Sequence, residues 1–266
     1  MFASYMINGW IMATIVAVVA GAVGLFVVLR GMSFAAHALP LGAFPGAAAA
    51  NLIGINELWG LIGFSGLGVI GITQLAQRQR RDVATALVLM ALLGLGTLFL
   101  SLSGHYAQGV YALLFGQLIS VSAAEIWPVL ALGLIILIVI AAGLRPLLLS
   151  TLSADLATTH GISARRADFA FLLVVGAATA IALPVVGALL VFSLMVGPGA
   201  AARSLTDRPA TALLLSIALA LVTVWAAIAA AFVTDWPIGF FVGLLAAVLF
   251  ALSQLARRWR SAHRRR

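Results

Sequence analysis

Apolar residues run along this chain in blocks of about twenty, each closed by a short polar or basic step. That is the length an α-helix needs to cross hydrocarbon at about 1.5 Å per residue. The blocks are Trp10 to Leu29, closed by Arg30; Ser33 to Ile55; Leu58 to Gln77, followed by Arg78, Arg80 and Arg81; Val83 to Ser103; and Ile126 to Leu144, closed by Arg145. Phe169 to Ala202 is too long for one crossing and is expected to turn at Leu183-Pro184-Val185, giving Phe169–Ala182 and Val186–Ala202. Thr211 to Val233 and Ile238 to Leu255 complete the set. The alternation of a membrane β-barrel strand is absent. The pattern predicts an all-α polytopic membrane protein of about nine transmembrane helices.

Three stretches depart from it. The second block holds His37, Pro40, Gly42, Pro45 and Gly46. It is expected to be kinked or broken, which a membrane tolerates only where protein or a cavity satisfies the freed backbone. Residues 104–124 have a short apolar core, Val110 to Val121, interrupted by Gly116 and Gln117, and read as a re-entrant or interfacial segment. Residues 145–168 are the longest polar interruption. There Ser153 suits an N-cap, Asp155 the first turn, and Gly161 a left-handed stop after His160. A helix this short is marginal alone and needs a surface to lie against, which suggests a docking element. An amphipathic loop on lipid headgroups is the alternative.

Composition agrees: 266 residues, 64% apolar, 8% charged, mean hydropathy +1.20. The net charge of +8 comes from fifteen arginines and no lysine. They lie between spans and in the tail, where they set topology and attract anionic lipid rather than nucleic acid. With 104–124 not crossing, all fifteen fall on one side, read as cytoplasmic, with the N-terminus outside and the C-terminus inside. The outer side keeps Glu57, His105, Glu125 and Asp235. MFASYMINGW has no basic region before its apolar run, so a retained span is expected rather than a cleaved signal. No Cys is present, which excludes disulfides and thiolate metal sites.

His37-Ala-Leu-Pro40 resembles the SHAxLPG element of permeases in the zinc/manganese/iron ABC importer family (ABC-3 type). Leu148-Leu-Ser-Thr-Leu-Ser-Ala-Asp155-Leu-Ala157, with Gly161-Ile162 after it, is similar to that family's cytoplasmic coupling segment. Gly187-Ala-Leu-Leu-Val-Phe-Ser-Leu-Met-Val-Gly-Pro198, followed by Ala200-Ala-Ala-Arg203, resembles VGxLLVxALLxxPAATAR, and Leu114-Phe-Gly-Gln117 with Ser120-Val-Ser122 resembles LFGxLLxVS. The likeness covers about Arg30 to Leu255, in order. This chain departs from the pattern at Ser33, where an acid is common one turn before the histidine, at Ala36, and at Leu41, which delays the glycine to Gly42.

The resemblance implies a type II importer-like permease domain over residues 1–256, with its coupling segment at 145–168 and a basic cytoplasmic tail at 257–266. It implies a bacterial cytoplasmic-membrane protein that dimerises, docks a separate ATPase, receives a divalent metal from an extracytoplasmic binding protein, and works by alternating access. The coupling residues would be Ser153, Asp155, Leu156, Ala157, His160, Gly161 and Ile162. The chain is expected to bind no cofactor and to be no enzyme itself. Without lysine it cannot form the phosphate loop Gly-x-x-x-x-Gly-Lys-[Ser/Thr], so ATP belongs on a partner.

His37, with Ser33 one turn before it, is the candidate metal pathway. An ionisable group inside a span is a functional candidate, and imidazole suits zinc or manganese. The bland reading is a neutral ring bonded to a carbonyl freed by Pro40. Glu57, His105, Glu125 and Asp235 either attract cations at the outer face or are ordinary loop chemistry. Small residues at Gly42/Gly46 and Gly239/Gly243 suggest tight helix packing or a dimer seam. Two other functions fit parts of the chain. One is a permease for a metal chelate such as a siderophore or cobalamin. The other is an intramembrane serine protease using Ser65 of Gly63-Phe64-Ser65-Gly66 with His105.

Overall fold

The computed structural model describes residues 4–77, 80–103, 116, 122–152, 161 and 163–263. Among them there is no strand and there are nine helices: α1 Ser4–Leu29, α2 Ser33–Ile53, α3 Glu57–Leu75, α4 Arg81–Ser103, α5 Ala123–Leu152, α6 Ala164–Val186, α7 Ala188–Leu205, α8 Pro209–Thr234 and α9 Ile238–His263. Seven are long and apolar enough to cross a membrane; the other two are α2 and α7. The re-entrant or interfacial reading of 104–124 and the short helix after Ser153 fall mostly outside the described residues.

Helix α1 is the hub, packed on α5, α6, α7 and α8. In lipid there is little hydrophobic drive between helices, so close contact depends on small residues. Gly24 lies against the backbone of α7, where a Cβ would collide with the Met195 carbonyl oxygen, and Gly199 returns the contact onto Gly24. One turn earlier, Ser216 Oγ of α8 donates to the Gly21 carbonyl at 2.6 Å.

Helix α2 is sheathed by α3, α4, α6 and α7. The expected break is not there: α2 runs unbroken with Pro40 and Pro45 inside it. Both prolines are buried, as are Ala43, Gly46 and Ala47. The neighbouring helices supply the protein environment that lets a proline-containing helix persist at membrane depth. Gly46 touches Gly60 of α3 backbone to backbone, and Gly42 faces Leu92 of α4. Gly239 of α9 holds the Leu190 side chain of α7, so three of the small-residue positions read from sequence are packing contacts within the chain.

Other boundaries shift as well. The turn expected at Leu183-Pro184-Val185 falls at Gly187, with φ 88° and ψ 151°, and α6 keeps Pro184 in its last turn. Such dihedrals are open essentially to glycine alone, whereas a proline near a helix end loses little. Helix α5 passes the expected stop at Leu144 and carries Arg145 and Pro146 on to Leu152. Helix α6 begins at Ala164, well before Phe169. Helix α9 continues past Leu255 through Arg257 and Arg258 to His263.

Candidate functional site

His37 stands just over one turn into α2, with Ala36 and Ala38 buried on either side. Its half-buried ring meets Phe192 of α7 edge to face, centroids 5.0 Å apart at 76°. Nδ1 is buried without a hydrogen-bond partner, so the bond to a carbonyl freed by Pro40 is not made there. Ser33 lies four residues back on the same helix face, half-buried. Among the described residues no three of His, Asp and Glu converge to hold a metal. A lone imidazole cannot supply the roughly four ligands of a tight site. What it can offer a ligand is one nitrogen lone pair.

Of the three acids expected on the outer face, Glu57 and Glu125 have local side-chain partners. Glu57 opens α3 and accepts from Asn51 Nδ2 at 2.9 Å, while Asn56 caps the helix by accepting from the Leu58 N–H. Glu125 opens α5 and accepts from Ser122 Oγ at 3.0 Å. Asp235 ends α8 in the left-handed conformation, its N–H on the Ala231 carbonyl. Glu57 and Glu125 suit the N-terminal turns they occupy, while Asp235 takes a left-handed cap conformation that aspartate tolerates better than most residues. They do not come together as a metal site, and His105 lies outside the described residues.

Of the coupling candidates, Ser153, Asp155, Leu156, Ala157, His160 and Ile162 lie outside the described residues, and Gly161 has the left-handed φ of 73° expected of it. The two flanks of the segment are well defined and share one side chain. Arg30, just beyond α1 and 4% exposed, reaches the Leu147 carbonyl at 3.2 Å, Ser150 Oγ at 2.8 Å and Thr151 Oγ1 at 3.2 Å in the last turns of α5. Its other terminal nitrogen donates to Asp168 Oδ1 at 2.5 Å in α6. The guanidinium also lies over the Phe171 ring, 5.4 Å from its centroid. Asp168 Oδ2 pairs with Arg81 at the start of α4. A cavity of about 300 Å³ lies beside this network, lined by Thr73, Gln77, Arg81, Arg165 and Asp168 among others. Sequence reasoning used Arg30 only as the stop of a span. Nothing in the order of residues ties position 30 to position 168.

The leading motifs also meet. Gly116, with φ 76°, sits against the α6–α7 break, where a Cβ would lie 2.5 Å from the Val185 carbonyl oxygen and 2.8 Å from the Gly187 nitrogen. Ser65, in contrast, is buried against Gly176 of α6, and its Oγ has no hydrogen-bond partner. No base lies at its hydroxyl among the described residues, and His105, the base a protease reading would require, lies outside them.

Residues 3–257 match the ABC 3 transport family. The chain belongs to that family, the metal-importer permeases its motifs resemble. It is 29% identical over 252 residues to the manganese transport system membrane protein MntC of Halalkalibacterium halodurans, covering 94% of this chain and 86% of that one. It is 27% identical to the chelated iron transport system membrane protein YfeC of Yersinia pestis, over 83% of this chain and 75% of that one. The solved structure of PsaBC from Streptococcus pneumoniae in complex with Fab shares the fold, with a TM-score of 0.86, 24% identity, and coverage of 94% and 91%.

Proposed function

We propose that this chain is the membrane-spanning subunit of an ATP-driven importer that carries a divalent transition metal, manganese before zinc or iron, by alternating access. The observation that carries the reading is His37, whose partnerless Nδ1 is buried where the proline-bearing α2 meets α7. A buried, unsatisfied imidazole nitrogen is costly unless something visits it. The metal is cargo, and no cofactor is assigned to the chain. ATP is hydrolysed by a cytoplasmic ATPase docked on residues 145–168. An extracytoplasmic protein delivers the metal to the face bearing Glu57, Glu125 and Asp235, and a second copy completes a homodimer. The arginine-bearing ends face the cytoplasm, with the N-terminus outside. Manganese(II)-dependent stimulation of ATP hydrolysis in the complex reconstituted from the chain, its ATPase and its binding protein tests the reading. Stimulation is the expected result, and its absence with all partners present would overturn it.

A metal chelate is the second reading, favoured by Ser33, which leaves no acid beside His37 to neutralise a free ion. Stimulation by a ferric siderophore or by cobalamin, with free manganese(II) inert, would select it.

A further inference from the structure

We infer that Arg30 is a positioning residue for energy coupling: one guanidinium fastens the chain entering and the chain leaving residues 153–163 to the end of α1. This rests on the proposed docking of an ATPase at that segment. On the entering side, Arg30 holds the Leu147 carbonyl, Ser150 and Thr151; on the leaving side, it holds Asp168 and covers Phe171. These acceptors lie on two helices, on either side of residues 153–163, and the planar fork of arginine can address both at once. The side chain is 4% exposed and its Nε is buried without a partner, so the fork is committed to these contacts at some cost. Burial alone would not call for an arginine here, since an apolar side chain would fill the same space more cheaply.

The attachment point matters as much as the contacts. Helix α1 meets α7 backbone to backbone at Gly24, and α7 carries Phe192, which touches His37. Asp168 extends the same network to Arg81 at the start of α4, one of the helices around α2. A displacement that reaches Thr151 or Asp168 therefore meets α1 through Arg30, and one that reaches Asp168 meets α4 through Arg81; both helices border the elements holding His37.

The test uses the full chain assembled with its ATPase and binding protein, with manganese(II) as the cargo. Three quantities are read: ATPase co-purification, ATP hydrolysis, and manganese delivered per ATP. Arg30→Met, which keeps an unbranched apolar stem and loses the fork, is expected to retain the ATPase yet lower manganese per ATP about tenfold, within the usual span of coupling effects. Arg30→Lys should recover part of that loss, and Asp168→Asn should reproduce part of it. A role in stability alone would lower assembled protein without changing manganese per ATP. If Arg30→Met does not assemble, Ser150→Ala with Thr151→Val removes two acceptors and keeps the arginine, and a lowered ratio is again expected. An unchanged ratio in the assembled variants overturns the inference and leaves the proposed function standing. Failure of the wild-type chain to capture the ATPase overturns both.

Discussion

At the scale of the residue, His37 and Gly24 illustrate two ways in which a small region of a membrane helix is constrained. His37→Ala removes the one imidazole placed between α2 and α7, and manganese uptake is expected to fall about tenfold or more, the order of loss when a metal-site partner is removed. Uptake at the wild-type rate, with the protein present in normal amount, would strike His37 from the pathway. Gly24→Val addresses packing instead. A side chain there collides with the Met195 carbonyl, so α1 and α7 must separate. Overpacking of this kind costs about 1–3 kcal/mol, which a lowered thermal midpoint in detergent would register. The histidine was legible from sequence because an ionisable group inside an apolar block stands out. The glycine was not: Gly21 and Gly24 sit in an ordinary apolar run, and their importance comes from what α7 and α8 bring opposite them.

At the scale of the element, block length located the nine helices of the described residues and was a poor guide to where they end. Hydropathy marks the part of a helix that lipid can cover, but hydrogen bonding and capping decide how far it continues. Helix α5 runs on past Arg145 to where Arg30 meets the carbonyl and hydroxyls of its last turns. Neither expected break falls at a proline, for one reason: the effect of proline depends on its neighbours. Pro40 and Pro45 sit in a sheathed helix that survives them, and Pro184 ends nothing because the chain turns only at Gly187. The two kinds of residue separate experimentally. Gly187→Ala forces a Cβ into a glycine-only conformation and should cost about 1–3 kcal/mol. Pro184→Ala, in the last turn of α6, should leave the thermal midpoint nearly unchanged. If Pro184→Ala is the damaging variant and Gly187→Ala the silent one, the break has been assigned to the wrong residue.

At the scale of the whole molecule, the contacts fix which helix ends lie together before any rule about charge is applied. Arg30 joins the end of α1 to the end of α5 and the start of α6, and Arg81 adds the start of α4. Ser204 Oγ donates to Ser253 Oγ at 2.8 Å, aligning the later parts of α7 and α9, while Leu190 against Gly239 aligns their beginnings. An alternating arrangement of the nine helices among the described residues satisfies these contacts, and it would gather Arg30, Arg81, Arg145, Arg165, Arg203, Arg208 and Arg257 at one end. Arginine retained at one end sets orientation during insertion, and that end is expected to be cytoplasmic. The chain has no cysteine, so single-cysteine variants report without background. An impermeant maleimide on intact cells should label Asn56→Cys, between α2 and α3, and Trp236→Cys, between α8 and α9. Ser163→Cys, before α6, and Arg208→Cys, before α8, should react only after the membrane is opened. The reverse pattern would put residues 153–163 outside the cell, where no ATPase could reach them. A mixture within either pair would mean an odd number of crossings between its members and overturn the alternation.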